Sequence, residues 1–474
     1  MSFLRLNIGG HTRPPSAEEG VTRRVKVARG AMSLSLLVSG TPVPLTYEPG
    51  TAMIRPPAVV AHGWGPLGSA IGDDVVRAEH STVSPADVMS WGAADPHISI
   101  GNQQIFEDDA NFIAQTKHEL ILSTYVWDNV DNSRTLLQGL RQLEANRKRD
   151  AGPNDAPIQT YLIIDDYSKT LQQLTSLFGS GRFTNQYTSW TEIARQGVAA
   201  LALDPKFVNV HFVDFTHLGL GSNHAKYTLR DRAAWQVTGA NPQFNSGGTQ
   251  FDLGQIIYGN IAHAAWVDAA RTIYSVDRRI QLKEEPWQAE AYFGPQVPML
   301  FVSRSPNAGL VPEFDNPQTA ALCSMLRHAT EPVELMSPNL NAPPVVSAIL
   351  AAVQRGESVY ILVTKDFNEA KERQPGQGGA NDDVIKSMRQ RAQAMGHPEL
   401  LRFKWPSEDG ANASYSHAKF ARTGSVVLKG SGNLDTESNG YAHEVNVLVD
   451  DRDAAESDST TIFWPKWDLG VEAF

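Results

Sequence analysis

His224-Ala225-Lys226-Tyr227-Thr228-Leu229-Arg230-Asp231 is the stretch on which the reading of this 474-residue chain turns. Its histidine is followed seventeen residues later by Asn241. The pattern returns as His417-Ala418-Lys419, with Asn433 sixteen residues on, inside Lys429-Gly430-Ser431-Gly432-Asn433. Side chains alternate along a strand, so His and Lys at i and i+2 are expected on one face. A single such pair says nothing; two, one in each half, point to a duplicated site. Each cassette reads as a β-hairpin: 224–230 out, a turn at 231–233 and 235–238 back, then 416–421 out, a turn at 422–424 and 425–428 back. The return strand brings each Asn beside its own His and Lys.

Eleven residues after each Asn stands a carboxylate, Asp252 in the first half and Glu444 in the second. An acid at a repeated offset suits a histidine that must move protons. It keeps one ring nitrogen protonated and aims the other at the substrate.

The stretch 224–231 resembles the phospholipase D superfamily signature H-x-K-x-x-x-x-D, and Thr238-Gly239-Ala240-Asn241 resembles the G-S-x-N that follows it. Residues 430–438, running on to His443-Glu444, are similar to the second copy almost position for position. Two residues depart from the pattern: Gly424 replaces the second motif's Asp, and Glu437 stands where many members carry Arg. The resemblance spans roughly 100–450. It implies an α/β fold of two similar α/β/α sandwich units related by a pseudo-twofold, with the site between them. It also implies a metal-independent phosphodiesterase without a cofactor. Lys226, Lys419, Asn241 and Asn433, with Ser431, would hold the phosphoryl oxygens. One histidine would attack phosphorus to give a phosphohistidine, and the other would protonate the departing alcohol and then activate water. By analogy His224 is the nucleophile and His417 the acid and base, a symmetry the residues themselves do not break. The resemblance further implies that each carboxylate supports the histidine of the opposite half. The expected reaction is phospholipase D-type hydrolysis of a glycerophospholipid to phosphatidic acid and a free headgroup alcohol, with transfer to another alcohol open. A nuclease of the same superfamily and an inactive phosphate- or membrane-binding module are the alternatives.

The formal net charge of −11 argues against loose binding of nucleic acid, which requires clustered Lys and Arg. The substrate expected is therefore phospholipid at a membrane surface, met peripherally, because no run of eighteen apolar residues is present. The start lacks the basic and apolar stretches of a cleaved signal, so a soluble protein is expected, cytoplasmic or exported without one. The single Cys323 excludes an internal disulfide framework and Cys-rich zinc sites. His62-Gly63-Trp64-Gly65 resembles a serine-lipase oxyanion loop, but no Gly-x-Ser-x-Gly elbow accompanies it. No H-E-x-x-H occurs, and no metal site is expected.

Three segments are expected: 1–95, an irregular and partly β N-terminal segment with apolar runs such as 32–38; 96–304, the first half; and 305–474, the second. Each half repeats helix, strand, helix, strand, hairpin. In the first these are 106–117, 119–127, a helix capped at Asn132-Ser133 with Leu136, Leu137, Leu140 and Leu143 on one face, and 158–164. In the second they are 317–328, 333–336, 343–354 and 359–363. The polar, Gly-rich run 374–383 is expected to be a surface loop. Lys365, Lys371 and Arg373 are expected on a solvated face, Ser222, Asn223, Gly219 and Gly221 in a loop, and Trp464 and Trp467 in core packing.

Overall fold

The computed structural model describes residues 63–152, 155–166, 189–216, 221–243, 250–283, 295–374 and 376–474. The apolar run at 32–38, His62 and Gly219 lie outside them. The strands are β1 (Met89–Ile100), β2 (Glu119–Thr124), β3 (Ile158–Asp165), β4 (Val208–Phe215), β5 (Tyr227–Arg230), β6 (Ala234–Thr238), β7 (Leu253–Tyr258) and β8 (Val297–Arg304). They continue as β9 (Val333–Ser337), β10 (Val359–Val363), β11 (Leu401–Trp405), β12 (Phe420–Thr423), β13 (Val426–Gly430), β14 (Glu444–Asp450) and β15 (Val471–Glu472). Their order is β15-β11-β10-β9-β12-β13-β14-β8-β1-β7-β6-β5-β2-β3-β4, one ordered series of fifteen strands. Read outward from the β1–β8 pair, the two arms match: β1 with β8, β7 with β14, β6 with β13, β5 with β12, and β2, β3 and β4 with β9, β10 and β11. Strands β2, β3 and β4 run parallel, as do β9, β10 and β11, with β15 added antiparallel at the edge beyond β11, and the hairpin strands of each arm are antiparallel.

The join is β1. Met89–Gly92 pairs with β8, and the strand then passes to β7 with a register shift between Ala94 and Ile98. The arms also meet through packing. Trp235 of β6, fully buried, lies with its ring 5.7 Å from that of Phe301 of β8. Strands β2 and β9 are apolar along most of their length and buried at every position, as expected of strands covered on both faces. The covering helices include α1 (Pro66–Arg77), α2 (Asn102–Ala114), α3 (Asp131–Asp150), α4 (Trp190–Leu201), α5 (Ile261–Val276), α6 (Pro317–His328), α7 (Pro343–Gln354) and α8 (Asn381–Ala394). Helix α3 buries Leu136, Leu140 and Leu143, with Leu137 half-buried, and the Ser133 hydroxyl accepts from the Val130 N–H at its start. Its last turn carries Arg147, Lys148 and Arg149, the sign that the helix dipole favours there.

The structure corrects several expectations. The segment before residue 96 is not wholly irregular: it holds α1, and the 95/96 boundary falls inside β1. Glycine hides α1 in the sequence. A Cβ on Gly72 would stand 2.8 Å from Met89 Cε, so the residue is there for close packing and not for a turn. The 304/305 boundary is also displaced, since β8 pairs with β14 and belongs topologically to the second arm. The strand expected at 119–127 stops at Thr124, and 374–383 gives way at Asn381 to α8. Trp467 is core, packed with Phe463 and Tyr360.

Candidate active site

Both His-x-Lys segments lie just ahead of the strands expected to contain them, since β5 begins at Tyr227 and β12 at Phe420. The backbone there leaves its own ladder to pair across the pseudo-twofold. Asn223 bridges His443 in parallel, and Ser416 bridges Phe251 in the same way. The His224 N–H donates to the His443 carbonyl at 2.9 Å, and the His417 N–H to the Phe251 carbonyl at 2.8 Å. Each histidine is thereby fixed beside the residue that follows its bridge partner, Glu444 or Asp252. His224 Nδ1 lies 2.7 Å from Glu444 Oε1, and His417 Nδ1 lies 2.8 Å from Asp252 Oδ2. Both acids are fully buried. The pairing is crossed: each ring is held by the other half's carboxylate, which leaves Nε2 as the nitrogen open to substrate.

The two rings line one cavity of about 250 Å³, together with Tyr125, Asn241, Gln243, Phe367, Tyr415 and Asn433 among others. Lys226 and Lys419 are buried behind it. Lys226 Nζ donates to the His224 carbonyl at 2.6 Å, and Lys419 Nζ reaches both the His417 carbonyl and, at 2.6 Å, His417 Nδ1. Asn241 Oδ1 accepts from the Val126 N–H and the Thr124 hydroxyl, both at 3.4 Å, so its amide N–H groups are spare. Asn433 is turned the other way, its Nδ2 donating to Asp435 Oδ2 at 2.9 Å. The Ser431 hydroxyl does not face the cavity; it is fully buried and donates to Glu444 Oε2.

A family model described as "Cardiolipin synthase, PLD-like domain" matches residues 322–467, the second arm with His417, Lys419, Asn433 and Glu444. The same constellation recurs in the first arm on matching strands. Residues 322–467 are thus matched as a phospholipase D-like domain. The chain's fold resembles the crystal structure of phosphatidylserine synthase from Haemophilus influenzae Rd KW20, at 12% identity and TM-score 0.53, over 85% of this chain and 90% of that one. The superfamily member Nuc from Salmonella typhimurium aligns at 18% identity and TM-score 0.27, over 37% of this chain and 96% of Nuc. No curated protein matches by sequence.

The site is electrostatically strained by its own bases. Burial, then the charges of Lys226 and Lys419, hold His224 well below the ordinary imidazole value. Burial and Lys419 bring His417 down to about 4, against the opposing pull of Asp252. Burial lowers Lys226 to about 7 and Lys419 to about 8, and raises Glu444 to about 7. Lys419 acts on His224 and Lys226 on His417, so the two cassettes share one field. An anion between them would relieve all four bases at once.

Several lining residues were not singled out from the sequence. Tyr125 packs edge-on to His224 at 5.1 Å, and Phe367 lies 5.9 Å from His417 and 5.4 Å from Tyr415. Asn339, Glu372, Asp435, Glu437 and Ser438 complete the wall built by the second arm. Lys371, expected on a solvated face, also lines the cavity and pairs with Glu437 at 3.5 Å, whereas Arg373 pairs with Glu369 and Asp383 outside it. Ser222 lines the cavity too, and Asn223 is buried behind it. The motif Asp231 serves the turn: its carboxylate accepts from the N–H groups of Lys117, His118 and Glu119 at 2.7–2.9 Å. Gly424 takes the equivalent positive-φ position, +55°, without that tie. No described helix is long and apolar enough to cross a membrane.

Proposed function

We propose that the protein is a phospholipase D-type phosphodiesterase that cleaves glycerophospholipids on the headgroup side of phosphorus. The observation that carries this is the shared cavity in which two crossed His–carboxylate pairs present Nε2 to the same space. Glu444 fixes the proton of His224 on Nδ1, so the Nε2 lone pair attacks phosphorus. The N–P bond forms as the P–O bond to the headgroup breaks, and His417 Nε2 gives its proton to the departing oxygen. Water then loses a proton to His417 and attacks phosphorus. The P–N bond breaks, giving phosphatidic acid; an alcohol in place of water gives the transfer product. Lys226, Lys419 and the spare amide of Asn241 stabilise the pentavalent charge, a task for preorganised donors in a site shielded from water.

Lipid is favoured over nucleic acid by the second arm's wall, where Glu372, Asp435 and Glu437 face the cavity against the single cation Lys371. A polyanion threading past three carboxylates would meet repulsion on both sides of the scissile phosphate. The test offers the purified protein, with a chelator, phosphatidylcholine, phosphatidylethanolamine, phosphatidylglycerol, cardiolipin and single-stranded DNA. Phosphatidic acid from lipid, and phosphatidylethanol when ethanol is added, are expected. DNA cleavage without any lipid product would replace this reading with the nuclease one.

A further inference from the structure

A loop beside the cavity carries the two most exposed large apolar side chains among the described residues, Leu310 at 79% and Val311 at 70%. We propose that this loop, 305–313, is an interfacial anchor: its tip enters the surface of the bilayer that holds the substrate and sets the cavity against the headgroups. The inference rests on the phospholipid reading above and names the surface through which that substrate is met.

The loop is tied to the residues that line the cavity. The Asn307 N–H donates to the Tyr441 carbonyl at 2.8 Å, and the Glu313 N–H to the Gly440 carbonyl at 3.0 Å. A Cβ on Gly440 would stand 2.5 Å from Pro312 Cβ, so the short helix Thr436–Gly440 lies directly against the loop. That helix supplies Glu437 and Ser438 to the cavity lining. From the first arm, a Cβ on Gly221 would stand 2.6 Å from the Asn307 carbonyl oxygen, and the next residue, Ser222, lines the cavity too. The fully buried Arg304 fastens the base of the loop, donating to the carbonyls of Ser305, Gly440 and Ala442. Tip and site are thereby fixed to one another.

The tip is built for an apolar medium. From Ser305 to Pro312 the chain carries no charge. Main-chain carbonyls find no water inside a bilayer, so their partners have to come from the protein. The Leu310 carbonyl accepts from the Tyr441 hydroxyl at 3.1 Å and the Val311 carbonyl from Asn307 Nδ2 at 2.8 Å, and Pro312 has no N–H to satisfy. The Gly309 N–H donates to Asn307 Oδ1 at 2.6 Å. Asn307 and Tyr441 are themselves buried, so these braces lie beneath the tip and leave only its two aliphatic side chains outside. Tyr415, which lines the cavity and is 44% exposed, adds an amphipathic ring of the kind found at headgroup level. A formal net charge of −11 gives anionic lipid no general pull on the chain, which leaves apolar burial as the attraction.

The experiment measures cosedimentation of the full protein with sucrose-loaded vesicles of phosphatidylcholine and phosphatidylethanolamine. It compares the native chain with the double variant Leu310→Ser/Val311→Ser and with Leu310→Trp. Turnover is followed on the same vesicles and on bis(p-nitrophenyl) phosphate, a diester in free solution. The double variant is expected to bind vesicles at least about tenfold more weakly and to lose kcat/KM on them by a similar factor. Its rate on the soluble diester should match the native rate, and Leu310→Trp should bind vesicles more tightly than the native chain. A damaged fold would slow both substrates together, so the divergence between them is the readout. No vesicle binding by the native protein, or binding equal in the native protein and the double variant, overturns the anchor. Self-association in solution that the double variant abolishes, with vesicle binding kept, assigns the tip to a second copy of the chain and overturns it as well. Vesicle binding that depends on the tip, without turnover of lipid or of the soluble diester, supports the anchor and overturns the phosphodiesterase reading.

Discussion

Behind His224 the molecule places a polar support, and behind His417 an apolar one. Glu444 takes the Ser431 hydroxyl on its second oxygen, and His443, the residue before it, is fully buried between Asn223 Oδ1 at 2.7 Å and Asp268 Oδ1 at 2.9 Å. Asn223 uses its Nδ2 on the Ser123 hydroxyl, so both ring nitrogens of His443 face oxygens. Asp268, on α5, also accepts from the Tyr227 hydroxyl at 3.2 Å. At the matching positions of the other half-site stand Phe251 in place of His443 and Gly239 in place of Ser431. A Cβ on Gly239 would come within 2.3 Å of Asp252 Oδ1 and 2.9 Å of Lys419 Cδ, so here the chain makes room for the acid where the other half supplies a hydroxyl, and Asp252 Oδ1 accepts instead from the Leu253 N–H at 3.0 Å. The lysines differ as well. Lys226 donates to the carbonyl of its histidine and lies over the Tyr125 ring, 5.6 Å from its centre, while Lys419 also meets Nδ1 of its own histidine, competing with Asp252 for the same atom. One imidazole is thus held in a single tautomer, as a nucleophile requires. The other sits between a donor and an acceptor, as a group that changes its proton during turnover can.

The largest effect that would break this comparison is on the histidines. Alanine at either one should lower kcat for lipid by about 10⁴-fold or more, roughly 5 kcal/mol of barrier. A diester with a p-nitrophenolate leaving group separates the roles. His417→Ala should still release a burst of p-nitrophenol, because that group departs unprotonated, and His224→Ala should release none. A burst from His224→Ala alone exchanges the two assignments.

Next in size are the carboxylates. Glu444→Gln can present an amide N–H to His224 Nδ1, which moves the ring proton to Nε2 and removes the attacking lone pair. A loss of about 10³-fold in the burst phase is expected. Asp252→Asn should slow the release of the phosphoryl group from the enzyme more than the burst itself. If both variants slow the same step equally, the asymmetry of support has no kinetic meaning.

The buried pair behind His224 predicts a stability effect with no counterpart behind His417. Asp268→Ala leaves His443 Nε2 and the Tyr227 hydroxyl without the buried carboxylate they share, at a cost of about 3 kcal/mol in urea unfolding. Phe251→Leu, at the matching place, should cost about 1 kcal/mol as an apolar exchange. Equal losses would mean that the His443–Asp268 contact carries no special weight.

The sequence made the histidines, lysines, asparagines and acids legible because a repeated spacing of few residues within each cassette reports on one hairpin. What it hid depends on partners that no local pattern encodes. His443 meets Asp268 across 175 positions. Asn339 reaches the cavity from beyond β9, Phe367 and Glu372 from beyond β10 and Tyr415 from ahead of β12, one or two residues at a time, without a period to mark them. Glu437 was visible only as a departure from Arg, and its carboxylate then proved to belong to an acidic wall. β1 is hard to see for a local reason: Gly92 and Asp95-Pro96 are residue types common in turns, and the register shift between Ala94 and Ile98 is where the strand absorbs the latter.

The smallest predicted effect is a proton, and it too separates the halves. Burial holds Lys226 at about 7 and Lys419 at about 8, both below the ordinary lysine value. Inorganic phosphate in the cavity favours the charged forms, so it raises both values. Between the empty and the occupied value, binding must take protons from solution, and affinity must fall as pH rises through that window. Calorimetric titration with phosphate at pH 7.5, in buffers of different ionisation enthalpy, should therefore report an uptake of roughly one proton. Lys226 is more fully deprotonated than Lys419 at that pH, so Lys226→Met should remove more of the uptake than Lys419→Met. Heats that do not vary with buffer would mean that the lysines are already charged in the empty cavity, and that the strain assigned to it is absent.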